Sequence, residues 1–241
     1  MKILTMKQGS PDWFKARMGL PTASEFDRLI TPLGKLRTGD GPQTFLVEKL
    51  AERWTGKPQS DYYSRPMENG TIRQDHAIGW LAFEHNIDIK EVGFILSDDG
   101  RYGCSPDGLL LPQSGVEVKC PILKTQIGWL LDGELPKEHT AQVQGSMLVT
   151  GAKVWKFLAY SEEAPNLLLD VERDDKFCDT LAEGLAAFCE RLDAAYKRLV
   201  ELNGGERVKE DLTGLAAADA AAFQGTDEEY AEMMRNRKGQ S

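Results

Sequence analysis

The sequence predicts an α/β fold in which a mixed β-sheet is flanked by helices. Helical patterns occupy most of residues 11–85. Alternating apolar and polar residues indicate strands between residues 92 and 120, and residues 125–199 continue with helices, two strands and a long closing helix. Because both kinds of element follow one another along the chain, a sheet covered by helices is the arrangement that buries their apolar faces.

Helix starts and stops are clearly marked in the first part of the chain. Ser10 caps a helix whose first position is Pro11, and Gly19 ends it. Thr22 and Glu25 have the spacing of a capping box, which predicts that a second helix begins there. The predicted helices cover residues 11–18, 22–30, 42–54 and 67–85.

The middle of the chain predicts strands, the last two of which form a β-hairpin. These strands are expected at residues 92–96, 109–111 and 116–120, with a turn at residues 112–115. The last strand alternates as a half-buried strand does. This period places Glu117 and Lys119 on one face and the apolar side chains on the other.

The remainder of the chain predicts one domain followed by a tail. Helices are expected near residues 125–131 and 139–150, strands at 153–160 and 167–173, and an amphipathic helix at 177–199. Residues 1–203 therefore form a single predicted domain. Residues 204–241 are charged, rich in alanine and poor in large apolar residues, which is typical of a tail that becomes ordered against a partner.

Composition bounds the class of protein. A chain of 241 residues can bury a sizeable core. Its net charge of −9 gives no overall basic character, yet residues 1–60 hold more basic than acidic residues. The four cysteines have no CxxC spacing, and neither a signal peptide nor a membrane span is predicted. We therefore expect a cytoplasmic protein with reduced thiols.

One motif carries chemistry. The chain lacks P-loop, HExxH and GxSxG motifs, but Pro106-Asp107, followed by Glu117-x-Lys119, has the form PD…(D/E)xK. Two carboxylates beside a lysine suit a hard cation such as Mg²⁺, with the ammonium orienting a water. The motif alone is also compatible with a surface hairpin that carries an exposed salt bridge.

Four ordered blocks extend this motif. They are Trp13-x-x-x-Arg17-x-Gly19-x-x-Thr22-Ala23-Ser24-Glu25, Cys104-Ser105-Pro106-Asp107-Gly108, Glu117-Val118-Lys119-Cys120-Pro121 and Ala141-Gln142-Val143-Gln144-x-x-Met147. Over about residues 8–200 the chain resembles the phage lambda exonuclease (YqaJ-type viral recombinase) family.

The resemblance implies a restriction-endonuclease-like α/β core and a 5′→3′ exonuclease that uses Mg²⁺, or Mn²⁺ in its place. Such an enzyme digests one strand of duplex DNA to mononucleotides. It also implies a single-strand annealing protein as partner, and a ring-shaped homotrimer.

The resemblance further implies roles for individual residues. Asp107 and Glu117, with the Val118 carbonyl, would hold the metal. Lys119 would position the attacking water, and Gln142 would orient that water or the lysine. A solvated helix face is the alternative for Gln142 and Gln144, and a role in the site is less expected for Gln144.

A second set of implied roles concerns the end of the DNA. Arg17 would bind the 5′-terminal phosphate, with Ser24 beside it, because a guanidinium can hold phosphate through two hydrogen bonds. The alternative is that Arg17 only interacts favourably with the dipole of the first helix.

One position departs from the family pattern. Gln74 stands where the family commonly has a glutamate near the metal, which places a further metal ligand in doubt. Asp75 is a substitute candidate, although it points about 100° away on a helix. His139 occupies a family position that can face the substrate.

Two other interpretations remain open from the sequence. One is a restriction-like or RecB-type DNA endonuclease, and the other is a catalytically silent DNA-binding protein, which only Gln74 favours. Trp13 and Trp54 either belong to the hydrophobic core or stack on DNA bases. Candidates for contacts with the phosphate backbone are Lys35, Arg37, Lys49, Arg53 and Lys57.

Overall fold

A computed structural model describes residues 1–59, 66–110 and 114–207. Contacts group residues Met1–Arg207 into one compact unit. The predicted tail lies outside the described residues from residue 208 onward, and so do residues 112 and 113 of the predicted hairpin turn. In the part of the chain that is described, no helix is long and apolar enough to cross a membrane.

Helices dominate the first part of the chain, and strands the middle. In order, the elements are β1 Lys2–Leu4, α1 Pro11–Arg17, a 3-10 helix at Ala23–Arg28, α2 Asp40–Thr55, α3 Pro66–His85, β2 Ile89–Lys90, β3 Phe94–Leu96, β4 Gly103–Cys104, β5 Gly108–Leu110 and β6 Ser114–Lys119. They continue with α4 Leu123–Asp132, a 3-10 helix at Lys137–His139, α5 Thr140–Thr150, β7 Val154–Ala159, β8 Leu167–Glu172 and α6 Asp175–Asn203.

The central sheet is mixed, as the sequence predicts. Its five described strands have the order β2-β5-β6-β7-β8, with β6 and β7 parallel and the other neighbours antiparallel. Helices α4 and α5 form the crossover that a parallel pair requires. A smaller antiparallel sheet has the order β1-β3-β4. The predicted α/β fold with a helix-flanked mixed sheet is confirmed.

Strand β6 lies at the centre of the core. Val116 and Val118 pack with Ala77 and Leu81 of α3 on one side. On the other side, the neighbouring strand β7 packs against α5. Even Glu117 is only 3% exposed. The prediction that this strand is half-buried is therefore wrong, because helices cover both faces of the sheet.

The segment after α1 also differs from its prediction. Ala23–Arg28 is a 3-10 helix rather than the beginning of an α-helix. The Thr22 hydroxyl does not cap a backbone N–H; it donates instead to the Glu25 carboxylate at 2.9 Å. Although Thr22 and Glu25 have the spacing of a capping box, their side chains bond to each other instead of to the backbone.

Candidate functional site

Two acidic side chains meet where the hairpin of β5 and β6 ends. The antiparallel register pairs Gly108 with Val116, and one more step places Asp107 opposite Glu117. Side chains opposite each other across two strands share a face, with Cβ atoms about 4.5–5.5 Å apart. The hairpin therefore brings both predicted carboxylates to one place.

Hydrogen bonds fix the carboxylate of Asp107. Its Oδ1 accepts from Gln74 Nε2 and its Oδ2 accepts from the backbone N–H of Val118, each at 2.6 Å. In a strand, the N–H and C=O groups of one residue point to the same side. The Val118 carbonyl therefore faces the same side as Asp107, as expected if it has the ligand role that the family resemblance implies.

Two contacts fix the carboxylate of Glu117. Its Oε1 lies 2.6 Å from Gln142 Nε2, which donates to it, and 2.7 Å from the ammonium of Lys119. The Glu117 side chain is 4% exposed whereas that of Lys119 is 28% exposed. Lys119 therefore lies between a buried carboxylate and the open side of the site.

The electrostatics of this pair favour a bound cation. Burial and the neighbouring charge of Glu117 raise the pKa of Asp107 to about 8, although Lys119 and the hydrogen bonds from Val118 and Gln74 oppose the shift. When both carboxyl groups are ionised, two negative charges share one ammonium, and a bound cation would stabilise this ionised pair. Carboxylate and backbone carbonyl oxygens are ligands that Mg²⁺ accepts.

This donor set is small. Within residues 1–59, 66–110 and 114–207, no group of three or more His, Cys, Asp or Glu side chains is arranged to hold a metal. Asp107 and Glu117 nevertheless fit a hard cation together with the Val118 carbonyl, and Gln74 and Gln142 hold the two carboxylates in position through their amide groups.

A second polar cluster surrounds Arg17. One guanidinium nitrogen donates to Ser105 Oγ at 3.0 Å, and the other to Thr22 Oγ1 at 3.1 Å and Ser24 Oγ at 3.3 Å. The guanidinium stacks 4.3 Å from the centroid of the Trp13 ring. We call Arg17, Ser24 and Ser105 the Arg17 pocket.

Ser105 is a functional candidate that the sequence analysis did not single out. Its Oγ also accepts a hydrogen bond from Trp13 Nε1 at 2.9 Å. Ser105 stands two residues before Asp107, so one short segment of chain joins the Arg17 pocket to the two carboxylates. The sequence does contain a signal for this residue, because Ser105 lies within the block Cys104-Ser105-Pro106-Asp107-Gly108.

The remaining predicted residues divide into two groups. Gln74 and Gln142 lie in the site, as described above. Asp75 is exposed. Gln144 is buried elsewhere: it donates to the Glu172 carbonyl and accepts from Asp174 N, both at 2.9 Å. It therefore ties α5 to the connection between β8 and α6, and the structure does not bring it to the carboxylates.

His139 lies at the margin of the site. Its ring packs against Trp129 and Phe157, with a centroid separation of 5.4 Å in each case. Burial, with a further contribution from the positive charge of Lys119, lowers the pKa of His139 to about 4. The imidazole is therefore neutral at physiological pH, and its ring is part of the aromatic packing beside Lys119.

Two of the residues that are candidates for contacts with the phosphate backbone of DNA are instead bonded within the protein. Lys49 is 5% exposed and is paired with Glu25 and Glu52. Arg53 bonds to the Gly19 carbonyl and to Asp193. The prediction that Lys49 contacts phosphate is wrong, because its ammonium is buried within the protein.

The fold is that of solved exonucleases. The structure of an alkaline exonuclease, LHK-Exo, from Laribacter hongkongensis has a TM-score of 0.73 and 27% identity over 81% of this chain and 98% of that chain. Its complex with dAMP gives 0.71 and 28% over the same shares. A phage-related exonuclease from Haemophilus somnus 129PT is similar in fold alone, with a TM-score of 0.57 and 13% identity over 75% and 96% of the two chains.

The family of the protein follows from a comparison of its sequence with models of known families. Residues 12–153 match the YqaJ-like viral recombinase domain, and the protein belongs to that family. No curated protein matches the chain. The matched range contains the Arg17 pocket, Asp107, Glu117 and Gln142.

Proposed function

We propose that the protein is a Mg²⁺-dependent exonuclease that digests one strand of linear duplex DNA from its 5′ end, releasing 5′-mononucleotides. The remaining 3′ single strand would serve recombination by strand annealing. The observation that carries this proposal is the meeting of Asp107, Glu117 and Lys119 within an exonuclease fold. The dAMP complex of LHK-Exo supports a mononucleotide product.

Each residue has a distinct task in the proposed reaction. Asp107, Glu117 and the Val118 carbonyl would hold the cation, which would supply Lewis-acid polarisation of the scissile phosphate. Lys119 orients the attacking water and offsets the negative charge that grows on the phosphoryl oxygens in the transition state. Gln142 keeps Glu117 in place from α5.

The Arg17 pocket favours a terminal phosphate as the anchor of the substrate. A guanidinium forms two parallel hydrogen bonds to phosphate oxygens. The Ser24 and Ser105 hydroxyls accept from Arg17, and each carries a proton of its own that it can donate to a phosphate oxygen. An enzyme that holds a 5′ phosphate while it cuts nearby requires a DNA end. This requirement favours an exonuclease over an endonuclease.

The proposed function is tested with linear and covalently closed duplex DNA. We expect Mg²⁺-dependent release of label from a 5′-phosphorylated linear duplex and no change in the closed circle. Cleavage of the circle would indicate an endonuclease instead. Binding of linear duplex without release of any nucleotide would indicate a catalytically silent DNA-binding protein.

Replacing Arg17 by alanine is expected to reduce the preference for 5′-phosphorylated ends. The loss of a charge-assisted hydrogen-bond pair of about 1.5–3 kcal/mol corresponds to roughly 10- to 100-fold in rate at limiting substrate. The measurement is kcat/KM on phosphorylated and hydroxyl-ended duplexes. Arg28→Ala is the matched control, because Arg28 is paired with Glu48 on the surface. Equal rates on both ends for the parent protein would refute the phosphate role.

Replacing Gln74 by glutamate is expected to tighten metal binding. The change adds a third carboxylate beside Asp107, and additional ligand charge strengthens the binding of hard cations, here by about tenfold. Calorimetric titration with Mn²⁺ measures the affinity directly. The exposed neighbour Asp75 supplies the control: Asp75→Asn should leave the affinity unchanged, and a loss there would show that Asp75 is the missing ligand.

The assembly is also part of the proposal. We propose that the protein forms a homotrimeric ring around DNA and works with a single-strand annealing protein, as its family membership implies. Light scattering of the full-length chain measures the mass, and a monomer at micromolar concentration would contradict the ring.

A further inference from the structure

A buried ionic cluster lies beneath the Arg17 pocket. The ammonium of Lys49 in α2 is 2.8 Å from Glu25 Oε1 and 3.1 Å from Glu52 Oε2. The side chains of Lys49 and Glu52 are 6% and 11% exposed. Burying a charge costs free energy unless the charge is paired, and even a buried ion pair adds little net stability to the fold. The contacts of this cluster are therefore better explained by the neighbouring segments that they hold in place.

One arm of the cluster fixes the segment that follows α1. Glu52 Oε2 accepts from the backbone N–H of Gly19 at 3.0 Å, and Arg53 Nε donates to the Gly19 carbonyl at 2.8 Å. Gly19 has φ +69, and an added Cβ would clash with Arg53. Side chains of helix α2 thus form hydrogen bonds with both the N–H and the C=O of Gly19, which lies two residues after Arg17.

The other arm reaches Arg17 itself. Glu25 Oε2 accepts the hydroxyl proton of Thr22 at 2.9 Å. A hydroxyl has one proton and two lone pairs. Because Glu25 takes the proton, the oxygen of Thr22 can accept from the Arg17 guanidinium, which lies 3.1 Å away. A chain of contacts thus runs from Lys49 through Glu25 and Thr22 to Arg17.

We propose that Lys49, Glu25 and Glu52 form a positioning cluster that sets the direction of the Arg17 guanidinium through Thr22 and Gly19. This inference rests on the proposed function, because it assigns the selection of the 5′ phosphate to a network outside the pocket. None of the three charged residues touches the DNA in this account. Their effect is to pre-organise Arg17, which reduces the ordering cost when a phosphate binds.

Thr22→Val is the sharpest test, because it keeps the volume of the side chain and removes only the hydroxyl. The readout is the ratio of kcat/KM on 5′-phosphorylated ends to kcat/KM on hydroxyl ends. The hydroxyl also contacts Ser24 and Glu25, but it is the loss of its hydrogen bond from Arg17 that predicts a fall in this ratio of about 3- to 10-fold. Thr22→Ser retains the hydroxyl and is expected to restore the ratio, which a general loss of stability would not predict.

A second variant tests the ionic cluster directly. Lys49→Met should lower the same ratio, because Glu25 then lacks its partner and no longer orients Thr22. Removing one member of a buried pair can unfold a protein. If melting shows this, Lys49→Met combined with Glu25→Gln and Glu52→Gln removes all three charges, and an amide oxygen at position 52 can still accept from the Gly19 N–H. The triple variant is expected to fold and to keep the reduced ratio.

The outcomes separate this inference from the proposed function. If the parent protein treats both ends alike, the phosphate role of Arg17 fails. If the parent prefers phosphorylated ends and Arg17→Ala removes the preference, but the folded Thr22 and Lys49 variants retain it, the positioning role is overturned and the cluster only stabilises the fold.

Discussion

Replacing Lys119 by alanine is expected to abolish DNA cleavage while duplex binding persists. The lysine acts on charge that develops only in the transition state, so its loss lowers kcat rather than affinity. Removing one preorganised donor of this kind costs about 100- to 1000-fold in rate. Release of labelled nucleotide measures cleavage, and fluorescence anisotropy in Ca²⁺ or without metal measures binding.

A neighbouring lysine provides the matched control. Lys156 is on β7, the strand parallel to β6, and its ammonium is 2.6 Å from Asp170 on β8. Lys156→Ala removes the same charge from the same sheet, but away from the two carboxylates. If the Lys119 variant retained more than about a tenth of the parental rate, the lysine would have no transition-state role.

The second large effect is expected from Asp107→Asn, which removes a metal ligand without changing the shape of the side chain. Mn²⁺ binding measured by calorimetry should fall by at least about tenfold, and cleavage should be lost with it. The metal-free protein is not expected to lose stability. Burial and Glu117 raise the pKa of Asp107 to about 8, so the metal-free side chain is already largely uncharged at neutral pH and a neutral amide is tolerated there.

Stability and metal affinity should therefore separate in this variant. The control is Asp170→Asn, because Asp170 is exposed and pairs only with Lys156 among the contacts described for it. A melting temperature well below that of the parent would show that Asp107 has a structural role. Unchanged Mn²⁺ affinity would exclude Asp107 as a ligand.

The hairpin and its carboxylates could be predicted from sequence because the signals are local. Alternation along β6 gives the face of each side chain, and the turn brings Asp107 back to Glu117. The long helix α6 is equally local, since its apolar residues repeat at helical spacing. The family resemblance, which is confirmed, also depends on local signals, because its sequence blocks are short and contiguous.

What could not be predicted depends on partners distant in the chain. Strands β1, β2 and β4 have only two or three residues each, and only pairing with other strands defines them. The burial of Lys49 follows from Glu25, which lies on a different element. An isolated lysine on a helix gives no sequence signal of such a contact, so a solvated or DNA-binding role was the natural expectation.

Ser105 lies between these two cases. Its position two residues before Asp107 was visible, but its bonds to Arg17 and Trp13 span more than eighty residues of sequence. The structure thus adds a physical link between the Arg17 pocket and the carboxylates. In the proposed function, this short connection sets the distance between the bound phosphate and the bond that is cut.

The most direct test of the account is a crystal structure of the protein grown with Mn²⁺, with the metal located by its anomalous scattering. We expect a strong peak between the carboxyl groups of Asp107 and Glu117, on the side that the Val118 carbonyl faces. A peak held by other residues, or none at these two carboxylates at saturating Mn²⁺, would contradict the proposed site.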